Sequence, residues 1–216
     1  MKVIKNFLAL EKADKIVFFL LITNFGNALM AFIKLIFGLS IPSLWFFVNA
    51  VFGIILVISR IVSIKDYRKM RLETDIYIKR NIGYSNYIDN GIILIILGIA
   101  YFAVSMYLYF KGTNTNMHEF LTYLVAFYAF YSIGSAIYGM CKYRKNNNPI
   151  IAGVKITSFA NALTSIVLTQ VVLLNTFGGN IDTRIINGLV GMSVSIIIMG
   201  LGLYMIVSIT KYKDLL

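Results

Sequence analysis

The sequence predicts an all-α integral membrane protein with six transmembrane helices, and three observations carry that prediction. The first is composition: 59% of the 216 residues are hydrophobic and 13% charged, with a mean hydropathy of +0.80, far above that of a soluble domain. The second is the length of the apolar runs. Crossing about 30 Å of hydrocarbon takes about 20 helical residues. Six runs meet that requirement, near 16–38, 43–63, 91–110, 119–141, 150–174 and 185–209. The third is that these runs show no polar–apolar alternation, unlike the strands of about 10 residues in a membrane β-barrel. A single transmembrane domain is expected to fill residues 1–216, with a loop at 64–90.

Each run has its own character. The first follows Lys2, Lys5, Lys12 and Lys15. It is too long for a signal-peptide core and lacks a small-residue cleavage pattern, so it is taken as a mature span. The second ends at the basic segment 64–90, which contains Tyr67, Tyr77, Tyr84 and Tyr87 and is expected to be a solvated loop facing anionic lipid. The third, at 91–110, holds no carboxylate. The fourth carries Ser132, Ser135, Ala136 and Gly139, and the sixth Gly188, Gly191, Ser195, Gly200 and Gly202, small residues that permit close helix approach. The fifth is the most polar, with Lys155, Thr157, Ser158, Asn161, Thr164, Ser165, Thr169 and Gln170.

A formal charge of +11 would point to nucleic acid in a soluble protein. Here its placement reports topology instead. Cationic residues gather before span one, between spans two and three (Arg60, Lys65, Arg68, Lys69, Arg71, Lys79 and Arg80), between spans four and five, and at the C-terminal end. The other connections contribute only Lys111 and Arg184. The positive-inside rule then puts both termini in the cytoplasm, and no nucleic-acid partner is expected. The single Cys141 has no metal-ligand spacing around it. The single His118 has no Cys, Ser or acidic partner in a sequence pattern, and no phosphate loop or nucleophile motif appears. No catalytic residue, enzyme activity or cofactor is therefore expected.

Polar groups at membrane depth are costly and are functional candidates by default. All nine carboxylates, from Glu11 to Asp214, fall in loops or at span ends. What remains inside is Asn24, Asn27 and Lys34 in span one, Asn49 in span two, Ser132 and Ser135 in span four, and the lysine, hydroxyls and amides of span five. Two segments repeat: FVNAVFGIIL at 47–56 and FANALTSIVL at 159–168 share five of ten offsets, and each carries one asparagine. Residues four apart share a helix face, so Asn49 lines up with Gly53 and Thr157 with Asn161. Two readings stay open for these residues, hydrogen-bonded glue between helices or a ligand site. Lys34 likewise either serves that interior or snorkels to the outer interface.

Spans one and two read NALMAFIKLIFGLSIPSLWFFVNA, with Asn27, Lys34, Gly38, Ser43, Asn49 and Ala50 at intervals of 7, 4, 5, 6 and 1. This series resembles that of the cation diffusion facilitator superfamily, and TSFANALTS in span five resembles the fifth-helix His-x-x-x-Asp-Ala segment of that family. The resemblance implies a cation efflux transporter, a homodimer in the cell membrane, with a tetrahedral divalent site between its second and fifth helices. Carried over, the four ligands fall on Asn49, Gly53, Thr157 and Asn161. Zinc prefers thiolate, imidazole or carboxylate, so no metal ligand is expected here, and neither amide nor hydroxyl titrates near neutral pH to drive proton exchange. The expectation is a cation-diffusion-facilitator-like transporter whose substrate is not zinc but another small cation or a polar solute. It is expected to contact that substrate through Asn49, Gly53, Thr157, Asn161, Asn27 and Lys34 in the lipid bilayer. The alternatives are a non-transporting scaffold and a subunit of a complex that works through segment 64–90. The chain ends at Leu216, so only the transmembrane part of the family pattern is expected.

The topology has a direct test. In a Cys141→Ser background, Asp75→Cys and Asn146→Cys should be shielded from a membrane-impermeant thiol reagent in intact cells, and Thr115→Cys should react. Labelling with the opposite sidedness would overturn the orientation.

Overall fold

The computed structural model describes residues 12–40, 43–112, 119–142, 148–178 and 182–209, with the side chains of 12–19 and 139–142 outside that description. Six helices account for them: α1 (Lys12–Ser40), α2 (Leu44–Leu72), α3 (Ile76–Lys111), α4 (Glu119–Lys142), α5 (Pro149–Phe177) and α6 (Thr183–Val207). Each contains a stretch long and apolar enough to cross a membrane, so the chain is a multi-pass membrane protein.

Several helix ends follow from local chemistry. Asp75 accepts the Tyr77 amide at 2.8 Å to open α3, and Asn148 accepts the amides of Ile150 and Ile151 ahead of Pro149 in the first turn of α5. Gly112, with φ of 75°, closes α3 in the left-handed region that favours glycine. Asp182 accepts the Arg184 amide at 3.1 Å and also takes its guanidinium side-on, Nε to Oδ1 at 2.8 Å and Nη2 to Oδ2 at 2.5 Å. Those hydrogen bonds hold the Asp182 carboxyl down at about 2.

Segment 64–90 is not a loop. Helix α2 runs on to Leu72 and α3 begins at Ile76, leaving residues 73–75 as the turn. Hydropathy alone marks the membrane-embedded portion, whereas α3 has 36 residues and is about 54 Å long, well beyond the hydrocarbon thickness. Nor are its tyrosines uniformly at the surface: Tyr67 and Tyr87 are buried. A ladder of hydrogen bonds joins the two helices here. Ser59 donates to Asn90 Oδ1, Asn90 Nδ2 donates to Ser63 Oγ at 3.1 Å, Ser63 donates to Asn86 Oδ1 at 3.0 Å, and Asn86 Nδ2 donates to Asp66 at 2.8 Å. The basic residues flanking the turn, Arg68, Lys69, Arg71, Lys79 and Arg80, define a basic end of the bundle. The cationic residues of the terminal segments 1–11 and 210–216 and of 143–147, and His118, lie outside the described residues, as does the Cys141 side chain.

The most extensive helix pairing is α3 against α6. It is a seam of small residues. A Cβ added at Gly202 would lie 2.6 Å from the Gly91 carbonyl oxygen, and one added at Gly91 would lie 3.0 Å from the Gly202 oxygen, so backbone meets backbone. Gly200 on the outer side has nothing within 4 Å. Gly202→Ala should therefore destabilise the protein by about 1–3 kcal/mol through overpacking. Gly200→Ala should be neutral or slightly stabilising, since alanine is the better helix former. Thermal unfolding of both variants in detergent checks this, and equal effects would show that the seam is not close-packed.

Candidate functional site

Helix α1 turns one narrow face inward. Asn24, Ala31 and Lys34 are buried, while Leu21, Ile22, Phe25, Leu29, Phe32 and Ile36 point outward. Hydrophobic side chains tolerate lipid and amides do not, which orients the helix. Two contacts then fix its register on α2. A Cβ at Gly38 would lie 2.8 Å from the Phe47 nitrogen, and one at Gly53 would lie 3.2 Å from Ala31 Cβ. The same Gly53 Cβ would be 4.0 Å from Asn161 Oδ1, so α1, α2 and α5 meet at Gly53.

Around that point a polar cluster forms. Asn161 Nδ2 donates to Asn27 Oδ1 at 3.4 Å, and the Tyr128 hydroxyl of α4 donates to the same oxygen at 3.3 Å. Lys34 Nζ donates to Ser165 Oγ at 3.2 Å and sits 5.5 Å from the Tyr128 ring centroid, a cation–π geometry. Four of the six residues expected at the site, Asn27, Lys34, Gly53 and Asn161, thus come together, with Tyr128 and Ser165 added.

The other two have other partners. Asn49 donates to the Trp45 carbonyl at 2.9 Å and to the Tyr101 hydroxyl of α3 at 3.4 Å. Thr157, fully buried, donates to Val154 O of its own helix at 3.0 Å. The asparagines of the two repeated segments therefore serve different neighbours, α3 for Asn49 and α1 for Asn161.

Along both helices the polar cluster lies between apolar layers. On α2 the order is Trp45 and Phe46, then Gly53, then Ile64 and Tyr67; on α5 it is Val172, Val171 and Leu168, then Ser165 and Asn161, then Ile151 and Ile150. Ile64, Tyr67, Ile150 and Ile151 pack together with Leu20 at the basic end. Trp45, Phe46, Leu168, Val171 and Val172 belong to the large core on the other side, with Phe37 packed against it.

The sequence reading overlooked three features. Tyr128 falls among the residues counted as hydrophobic in the composition, yet its hydroxyl and ring face join the cluster. Asn86 and Asn90, inside the supposed loop, share a face four residues apart, which is the signal that marks them as helical and paired. Arg60 was grouped with interfacial cations, but it is only 3% exposed, and its Nε and Nη2 have no hydrogen-bond partner. It lies seven residues after Gly53 and hence on the same face, which was readable from the sequence. No Asp or Glu is among the buried residues described.

Comparison with protein-family models finds none that matches this chain, and comparison with curated proteins gives no significant match.

If the cluster couples α1 to α5, Asn27→Ala and Asn161→Ala should be non-additive. A double-mutant cycle read by unfolding in mixed micelles should return a coupling of about 0.6–1.7 kcal/mol, the range for hydrogen bonds between membrane helices. Strict additivity would mean that the two amides do not interact.

Proposed function

We propose that this chain is a membrane transporter with a cation-diffusion-facilitator-like helix arrangement, moving a small polar solute other than zinc. One observation carries the proposal: a polar cluster contributed by α1, α4 and α5 around Gly53 of α2 lies between apolar layers toward both ends. That is the form of an occluded site in a protein that exposes its cargo to one side at a time. In hydrocarbon such polar groups are tolerated only where they face an interior. Zinc is disfavoured because the four positions in register with the family ligands hold Asn49, Gly53, Thr157 and Asn161. Buried Lys34 and Arg60, with no buried carboxylate described, also disfavour small cations, which like charges repel strongly at low dielectric. The proposal places the basic end in the cytoplasm and the protein in the cell membrane, as a homodimer in the manner of the family it resembles.

A second reading, a non-transporting scaffold or complex subunit, draws on one fact. The Asn27 oxygen already accepts from both Tyr128 and Asn161, as it would if the cluster only glued helices together.

Reconstitution in liposomes separates the two. With a pH gradient imposed, zinc uptake should not exceed that of protein-free vesicles, while at least one class of labelled small polar solute should enter. Lys34→Ala, which removes the ammonium from the cluster, should slow that entry. Robust zinc uptake would overturn the substrate assignment. Failure to move any solute, anionic, neutral or cationic, would leave the scaffold reading.

A further inference from the structure

Arg60 and Asn24 are among the buried residues that hold polar atoms without a hydrogen-bond partner. The Arg60 guanidinium lacks a partner at both Nε and Nη2, and Asn24, 6% exposed, lacks one at Oδ1. Because each is unpartnered, they are not bonded to each other through these atoms. Register nevertheless sets them at one level. On α1 the residues touching α2 are Gly38 and Ala31, seven apart, and they meet Phe47 and Gly53. From the Ala31–Gly53 contact, a step of seven on each helix, toward the start of α1 and the end of α2, leads to Asn24 and Arg60. Arg60 also lies within electrostatic reach of Tyr128.

The unpartnered atoms define a ligand. Nε and Nη2 form the side-on edge of a guanidinium, the fork that matches two oxygens of one carboxylate. The same protein shows that fork filled at its surface: Arg184 grips Asp182 through these two nitrogens at 2.8 and 2.5 Å. Asn24 Oδ1 is an acceptor, so what it lacks is an O–H or N–H donor. The Arg60 layer sits inside the apolar layer of Ile64, Tyr67, Ile150, Ile151 and Leu20, which separates it from the basic end.

We propose that Arg60 and Asn24 form a binding site for a small carboxylate bearing a hydroxyl group, the carboxylate on the Arg60 fork and the hydroxyl donating to Asn24. The site rests on the transport proposal only in making this anion the cargo; binding itself stands on the two side chains. An anionic lipid headgroup such as phosphatidylglycerol offers the same pairing of an oxyanion with hydroxyls. The apolar layer between Arg60 and the basic end favours the free anion.

Thermal unfolding of the purified full-length chain in lipid-free maltoside micelles tests this, with glycolate, acetate or chloride at equal ionic strength. Glycolate should raise the melting temperature most, acetate less and chloride not at all. In Arg60→Gln, apparent affinity for both carboxylates should fall by about ten- to a hundredfold, as expected for loss of charge-assisted hydrogen bonds. Its melting temperature without anion should not fall, because the change removes an uncompensated buried charge. Should that variant fail to fold, Arg60→Lys keeps the charge but not the fork and should still bind acetate more weakly than the native chain. Asn24→Ala should bind glycolate no better than acetate. Nanodiscs of phosphatidylcholine with and without phosphatidylglycerol resolve the source. Stabilisation by phosphatidylglycerol alone would overturn the free-anion assignment. So would a native chain indifferent to glycolate, or an Arg60 variant as responsive as the native chain. If glycolate binds through Arg60 yet no flux occurs in liposomes, the site stands and transport fails. If another solute moves while Arg60 binds no anion, transport stands and the site fails.

Discussion

Gly53 governs the interior because three helices approach one another where it has no side chain. Ala31 of α1 fills that space, and the Asn161 amide of α5 is the next atom beyond it. Even an added Cβ would press on α1 at Ala31, and the weak hydrogen bond between Asn27 and Asn161, at 3.4 Å, has little slack to absorb the movement. Lys34 lies one heptad beyond Asn27, so its reach to Ser165 depends on the same approach. In lipid there is no general hydrophobic force drawing helices together, so close contact at small residues and the hydrogen bonds that it permits supply the cohesion.

The remaining helices hold this arrangement in place. The α3–α6 seam of Gly91 and Gly202 forms a rigid pair, and the Ser59, Ser63, Asn86 and Asn90 ladder ties α2 to it. That ladder also fixes the rotation of α2. With Ser59 and Ser63 committed to α3, Arg60 lies about a quarter turn away on the Gly53 face, since successive residues advance about 100° around a helix. The guanidinium is thereby kept inside, even though only four residues separate it from Lys65 and the basic end. A long side chain so near the interface would otherwise snorkel toward water.

Much of this was legible in the sequence, and the exceptions have physical causes. Six apolar runs gave the helix count, and the Asn27–Lys34 spacing of seven put both residues on the face that the structure turns inward. Segment 64–90 misled because hydropathy reports where a helix leaves the membrane, not where it ends; the helical evidence there lay in the Asp75 cap and the Asn86–Asn90 spacing. Asn49 misled differently. Its place in the repeated segment matches that of Asn161, but a repeat fixes only where a residue lies on its helix. Which neighbour lies alongside is tertiary information, and α3 stands beside Asn49 with the Tyr101 hydroxyl in reach. Tyr128 shows the same limit, since its role depends on an oxygen that hydropathy averages away.

The sign of the interior field follows from the charges that the helices bury. Among the described residues these are Lys34 and Arg60, with no buried Asp or Glu beside them. Lys34 is relieved by the Ser165 oxygen and the Tyr128 ring face, both neutral groups. Arg60 has no comparable relief at Nε or Nη2. A buried guanidinium left in that condition is costly, and the cost falls when a carboxylate shares its hydrogen bonds and cancels its charge. On our proposal close approach at Gly53 therefore brings polar groups together, and the charge placed on the same face of α2 determines which ion is welcome there.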